Sequence, residues 1–506
     1  MTLEIIFGTV GGLAASIAAA HVLGPQIVGE YSYLLWAVTA VAGAAGLGLP
    51  LATRKFAAER IGAGEIHAAL AFVNSAWRIQ VVAAVLTTGI AIACVLYIAV
   101  PDHRLYVILN ALGIAPLMLM EIPGSASAAA QRYRANVVPG IVGGLVNVTG
   151  IALSLTLRWD LIGLSASLLA ARVVDLLLRL HMYKRVSAEL LAREPEPPPA
   201  TTPDFLNARI LRFCAAAAVL QLLNLIVWDR SEVFFLGRYC SARQVAYYTI
   251  PFNIAAQALL AVRAFSSSAG AHLMHRVGQD TEAARAFLAV SMRYVLIISA
   301  PMLLGLAALS GPLMQVLYGR AYHGAGPVLA IVGALAVARA VLVPVLFAFS
   351  AFEMQGRALG AMLVCAALNV GLDFLLIPKH GAIGAAWANG LAQCAATCIL
   401  WIVLTRGWRT GVSVRAALPA ALAACGATLP AAILALLLPP WPALLIGIPI
   451  GALLYVPLLR LTGAVTPGDR GRLEDLIPML PQPLRASMSR MLSWLAGGGV
   501  AEPARS

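Results

Sequence analysis

The chain has 506 residues, of which 61% are apolar and only 11% charged, and its mean hydropathy is +0.86. Water cannot solvate a surface of that composition, so a soluble globular fold is excluded and lipid must be the main solvent. The formal net charge of +13 is accounted for by insertion topology and attraction to anionic lipids, and no nucleic-acid partner is expected.

Apolar runs near 20 residues, each able to cross roughly 30 Å of hydrocarbon at about 1.5 Å per residue, recur along the chain. They predict spans at 3–23, 33–52, 77–100, 105–124, 136–157, 161–180, 211–236, 247–270, 287–309, 325–350, 358–377, 382–405, 416–438 and 442–461. The expected fold is an all-α polytopic membrane protein of about fourteen transmembrane helices. The first run starts almost at Met1 without a basic flank, so a cleavable signal peptide is not expected.

Leaving aside Arg172, Arg230 and Arg339 within spans, 26 of the other 32 Lys and Arg are assigned to one side of this topology and 6 to the other. Cytoplasmic loops carry the excess of Lys and Arg. Both termini are therefore predicted to be cytoplasmic.

The chain also repeats itself. Leu23-Gly24 to Val28-Gly29-Glu30-Tyr31-Ser32 recurs as Leu236-Gly237 to Val245-Ala246-Tyr247-Tyr248-Thr249. Arg134, Asn147-Val148 and Ile162-Gly163 are echoed by Arg357, Asn369-Val370 and Ile383-Gly384, an offset of about 220 residues. Two similar halves in a membrane protein point to a transporter working by alternating access. The predicted organisation is an N-terminal lobe over 1–182, a Pro-rich cytoplasmic linker over 183–208, a C-terminal lobe over 209–406, two further helices over 407–462 and a tail over 463–506. The linker holds Glu194-Pro195-Glu196-Pro197-Pro198-Pro199, which packs no core. In the tail, Leu484, Met488, Met491, Leu492 and Leu495 share one helical face, predicting an amphipathic helix on the inner leaflet.

Charges inside spans cost about 3 kcal/mol or more near the bilayer centre and tend to face a cavity or one another. Here they are Arg172 and Asp175 in the sixth span, Asp229 and Arg230 in the seventh, Arg263 in the eighth and Arg339 in the tenth, with Asp373 in the eleventh. A guanidinium donates two parallel hydrogen bonds to phosphate oxygens. Arg339, which has no acidic residue within a helical turn, is thus the first candidate for anionic substrate, followed by Arg172, Arg230 and Arg263. Arg172 with Asp175 also fits a structural ion pair at i, i+3. Asp175, Asp229 and Asp373 fit either a coupling ion or structural pairing.

The 8 histidines sit mostly in loops or at span ends, and of the 7 cysteines only Cys240 lies outside a span on the outer side. Neither a metal site nor a disulfide framework is expected. The sequence has no phosphate-binding glycine loop and no nucleophile elbow. No cofactor is expected, and the chain does not read as an enzyme.

Leu23-Gly24-Pro25 to Gly29-Glu30-Tyr31, then Gly46-Leu47-Gly48-Leu49-Pro50 and Thr53-Arg54-Lys55, resemble the polysaccharide flippases of the multidrug/oligosaccharidyl-lipid/polysaccharide exporter superfamily. So do Asp229-Arg230 to Phe235-Leu236-Gly237, Leu317-Tyr318-Gly319, Gly356-Arg357, Asn369, Leu376-Ile377-Pro378 and Gly384-Ala385-Ala386. The resemblance covers about residues 1–405. It implies two pseudo-symmetric six-helix lobes around a central cationic cavity, two extra C-terminal helices, and flipping of a polyprenyl-diphosphate-linked glycan of O-antigen, exopolysaccharide or capsule type. Expected partners are that glycan, anionic lipids, and a polysaccharide polymerase with its export machinery. The alternatives are a cation-coupled small-molecule or drug exporter of the same superfamily, which should prefer acidic cavity residues, and a peptidoglycan-precursor flippase.

Overall fold

Gly24 and Pro25 break the first helix, and that break organises the start of the chain. In the computed structural model Gly24 takes a left-handed φ of 73° inside a long helix, α1 (Thr2–Ala45). Glycine adopts such a backbone without steric cost, while the proline ring presets φ for the first turn of the next helix. The second crossing therefore begins directly at Pro25 and ends at Ala45. The expected 33–52 is corrected to this earlier range, and residues 49–52 belong to the next helix.

The structure describes residues 2–98, 103–192, 207–227, 231–260, 281–351, 354–408 and 418–465, together with 262, 265, 266 and 273. No strand occurs among them. After α1 come α2 (Leu49–Gly62), α3 (Ile66–Ile98), α4 (Arg104–Leu112), α5 (Ile114–Leu119), α6 (Glu121–Ala129), α7 (Arg134–Leu157), α8 (Asp160–Leu191), α9 (Ala208–Val227), α10 (Glu232–Tyr239) and α11 (Ala242–Ala258). Then follow α12 (Thr281–Ala308), α13 (Ser310–Tyr318), a 3₁₀ turn (Arg320–Ala325), α14 (Gly326–Ala351), α15 (Gln355–Trp408), α16 (Leu418–Leu437) and α17 (Pro440–Leu461).

Ten helical segments are long and apolar enough to cross a bilayer. Two of these, α1 and α15, each provide two crossings, because α15 breaks at Gly381 (φ 55°) three residues after Pro378. With α9 and α11 the fold accommodates the fourteen expected helices. Helix α8 runs on to Leu191, so the first nine residues of the expected linker are helical. The Pro-rich stretch and the amphipathic tail lie outside the described residues.

The chain divides into two compact units, Met1–Thr249 and Ile250–Ser506, with the boundary inside α11. In the first unit α7 and α8 pair most extensively. Phe56 of α2, Phe72 of α3 and Ile210 of α9 bury together against Phe213. In the second unit Leu259, Val295, Leu303 and Ala340 form one core, while Leu296, Ala420, Ala423 and Leu459 form another. The buried alanines 420, 423, 424, 427 and 431 line one face of α16, a spacing of small residues that lets helices approach closely.

Within the first unit the two copies of the glycine motif touch. A side chain at Gly29 would collide with the Ala242 carbonyl, and one at Gly237 would collide with the Tyr33 ring. Each copy contributes one glycine and accepts one neighbour.

A charged cavity as the candidate functional site

The turn at Gly46-Leu47-Gly48 ends α1 and redirects the chain into α2, with Leu47 and Gly48 both at positive φ (50° and 70°). Helix α2 buries Leu49, Ala52, Thr53, Phe56 and Ala57, so its charged residues project from the other faces and divide by environment. Lys55 Nζ lies 4.5 Å from the Phe213 ring centroid, and the Arg60 guanidinium lies 4.7 Å from that of Phe72. Glu59 is engaged by Arg209 of α9 at 3.1 Å. Arg54 instead lines a cavity of about 490 Å³ bounded by α1, α2, α3, α5, α6 and α9. Among the described residues it makes no ion pair or hydrogen bond.

Interruptions in the walls create this space. The fourth crossing is split at Gly113 and Met120 into α4, α5 and α6, and Pro116 and Pro123 each lack the amide hydrogen that a continuous helix would use. Glu121 opens α6 and faces the cavity, joined by Gln80, Ser125, Gln221 and Asn224. Gln80 is 1% exposed; its Nε2 donates to the Met118 carbonyl at 3.2 Å, and its Oε1 accepts nothing. The site thus offers one guanidinium, one carboxylate, several amides and two hydroxyls, of Thr39 and Ser125, in a volume typical of a small-molecule pocket.

Behind Glu121 lies a buckle of three helices. Arg179 of α8 donates through Nε to Asp175 Oδ1 at 2.6 Å and through Nη2 to Oδ2 at 3.3 Å. Its Nη1 donates to Asn136 Oδ1 of α7 at 3.3 Å, and Asn136 Nδ2 donates to the Gly124 carbonyl of α6 at 2.9 Å. Both Arg179 and Asp175 act electrostatically on Glu121.

The expected pairing of Arg172 with Asp175 is corrected. Asp175 takes Arg179, one turn further along α8, while the buried Arg172 donates Nη1 to the Gly113 carbonyl at 3.3 Å. Arg172 is not among the residues lining the 490 Å³ cavity. Arg339 lines a separate cavity of about 10 Å³ in the second unit with Phe252, Asn389 and Gln393, and its guanidinium lies 5.5 Å from the Phe252 ring centroid. That is room for about one water. Asp373 is fully buried on α15. Arg230, Arg263 and Asp229 lie outside the described residues. No cluster of metal-ligating side chains occurs among the described residues.

In the sequence Arg54 stands out only as part of Thr53-Arg54-Lys55, and Glu121 is passed over. The signal for Glu121 was present, as a carboxylate inside an apolar run two residues before a proline.

The profile described as "Polysaccharide biosynthesis protein" matches residues 65–327, just over half of the chain. The chain belongs to this family. A second profile, "Lipid II flippase MurJ", matches residues 245–446. Among solved structures, the lipid II flippase MurJ in an inward closed conformation superposes with a TM-score of 0.67 at 14% identity, covering 90% of this chain and 97% of the other. An inward-facing multidrug resistance MATE family transporter of the MOP superfamily gives 0.59 at 16% identity, covering 80% and 96%. A MOP superfamily transporter from Pyrococcus furiosus gives 0.58 at 16%, covering 82% and 95%. At these identities the likeness is one of fold. No curated protein sequence matches the chain. The chain is a multi-pass membrane protein of the polysaccharide biosynthesis protein family.

Proposed function

We propose that this protein flips a polyprenyl-diphosphate-linked oligosaccharide across the bacterial inner membrane by alternating access, with both termini in the cytoplasm. It acts as a transporter and not as an enzyme. The observation that carries this reading is the unpaired Arg54 in a polar cavity of about 490 Å³. A diphosphate needs a planar cationic fork, and the hydrated sugars need amides and hydroxyls, which Gln80, Gln221, Asn224 and Ser125 offer. Arg339 serves as a further contact when its cavity opens, and Arg230 and Arg263 remain substrate candidates of the same chemistry. Arg172 holds α8 to the α4–α5 break. Asp229 and Asp373 are assigned to ion coupling or structural pairing. Anionic lipids at the basic inner flank, and a polysaccharide polymerase with export machinery beyond it, complete the partners.

The test is flipping in proteoliposomes of a fluorescent prenyl-diphospho-oligosaccharide, scored by quencher access. Transport by the wild-type chain and its loss in Arg54→Ala support the reading; equal rates in protein-free vesicles overturn it. The match to the MurJ profile over 245–446 favours a second reading, in which the cargo is the peptidoglycan precursor. The same vesicles loaded with that precursor decide between the two. A cation-coupled drug exporter, suggested by the likeness to a MATE transporter, would show instead as efflux of a lipophilic cation.

A further inference from the structure

Two unpartnered charges of opposite sign share the cavity, and an anionic cargo can satisfy only one of them. Arg54 from α2 and Glu121 from α6 both line it. The groups that face Glu121 are Arg179 and Asp175 from α8 and, across the cavity, Arg54; α1, α3 and α9 contribute only the uncharged Thr39, Gln80, Gln221 and Asn224, and α7 contributes Asn136 to the buckle. The single guanidinium behind Glu121 is already committed. Arg179 holds both oxygens of Asp175 and the Asn136 carbonyl oxygen. An ionised Glu121 therefore shares with Asp175 the pull of the one arginine behind it, and Arg54 is the other cation lining the cavity.

A diphosphate that binds Arg54 cancels that second cation. The doubly charged anion then leaves Glu121 as a third negative group on the same cavity, where like charges repel. Taking up a proton removes the conflict. The same cavity also holds a buried acceptor without a donor, Gln80 Oε1. A neutral carboxyl supplies an O–H that a carboxylate cannot.

We propose that Glu121 is a proton-binding site linked to cargo: it is ionised opposite Arg54 in the empty cavity and protonated when an anionic diphosphate headgroup occupies it. This rests on the reading of the cavity as the diphosphate site. The proton comes from solvent and is bound to one Glu121 carboxyl oxygen, and no covalent bond is otherwise made or broken. By linkage, each headgroup bound takes up about one proton above the range where Glu121 is already neutral in the empty protein. Affinity then falls as pH rises, approaching about tenfold per pH unit.

The test uses the full chain in detergent micelles and geranylgeranyl-diphospho-N-acetylglucosamine, whose phosphates are both esterified so that its own charge stays constant. Binding is titrated from about pH 5 to about pH 8, and proton uptake is followed with an indicator dye in weak buffer. The expected result is about one proton taken up per probe bound, with affinity decreasing towards high pH. In Glu121→Gln, which keeps the shape and removes the titration, uptake should vanish and affinity should stay near its low-pH value throughout. Binding without proton uptake in the wild type overturns the inference while leaving the proposed cargo intact. Uptake that persists in Glu121→Gln overturns it as well, because another group then carries the proton. No binding by the wild type at any pH overturns both the cargo reading and the inference.

Discussion

Two cavities that hold cations differ about fiftyfold in volume, roughly 490 Å³ around Arg54 against roughly 10 Å³ around Arg339, although the sequence made Arg339 the more conspicuous residue. Space, not charge, separates them. Around Arg54 the walls are broken helices: α1 stops at a left-handed turn, and the fourth crossing is cut into three pieces. Around Arg339 the walls are α11, α14 and the stretch of α15 beyond its break at Gly381, closed by small residues such as Ala336, Ala386 and Gly390. A cation stacked near Phe252 within such walls is held by its surroundings. A cation beside interrupted helices is free to hold something else.

The largest expected effect separates the two arginines directly. Arg54→Ala should lower transport of a prenyl-diphosphate sugar about 10- to 100-fold, the worth of one to two charge-assisted hydrogen bonds, with normal protein abundance. Arg54→Lys should restore part of it, because the charge remains and the fork is lost. Arg339→Ala in the same vesicles should cost less. A larger loss at Arg339 than at Arg54 would move the site to the second unit.

Filling the two cavities should then give opposite signatures. Gly43→Leu projects into the larger cavity, where the first side-chain atom meets only Gln221 Nε2 at 3.7 Å; transport should drop about tenfold while the melting temperature in detergent holds or rises, since glycine is the poorer helix former. Gly390→Ala in the second unit would drive a methyl group into Leu335. There the penalty should be stability, about 1–3 kcal/mol of overpacking, read as a lower melting temperature. The smallest change concerns the buckle behind Glu121. The Arg179 and Asp175 side chains are 18% and 14% exposed, and Asn136 still holds the arginine when the carboxylate is removed. Asp175→Asn should therefore cost about 1–2 kcal/mol, below the loss for a fully buried pair, and shift melting by a few degrees.

Much of the fold was legible because each crossing needs an apolar run of a fixed length, and Gly24-Pro25 is a stop and a start written side by side. The span expected at 33–52 follows the apolar run and leaves out polar Gln26 and Glu30, which are one turn apart on a helix and hydrogen-bonded at 3.2 Å. The α8 charges show a different limit. Asp175 stands at helical spacing from Arg172 on one side and Arg179 on the other. The choice is made by the Gly113 carbonyl, which belongs to another crossing and has no signature in the local sequence. Arg54 was hidden by a similar ambiguity, since a basic residue near a span end serves topology by default. That it faces a cavity follows from the direction in which the turn at Gly46-Leu47-Gly48 launches α2.

The reciprocal glycines carry a consequence for how such a sequence can change over time. Gly29 accommodates a residue of the second motif copy, and Gly237 accommodates a residue of the first. Drift in either copy is therefore policed by the other: a bulkier residue at one glycine meets an obstacle that only a change in the opposite copy could remove, and compensation needs two simultaneous steps. Apolar residues facing lipid have no such partner and can exchange singly. Under this constraint the likeness around Gly29 and Gly237 is kept, because each position leans on the other's neighbourhood.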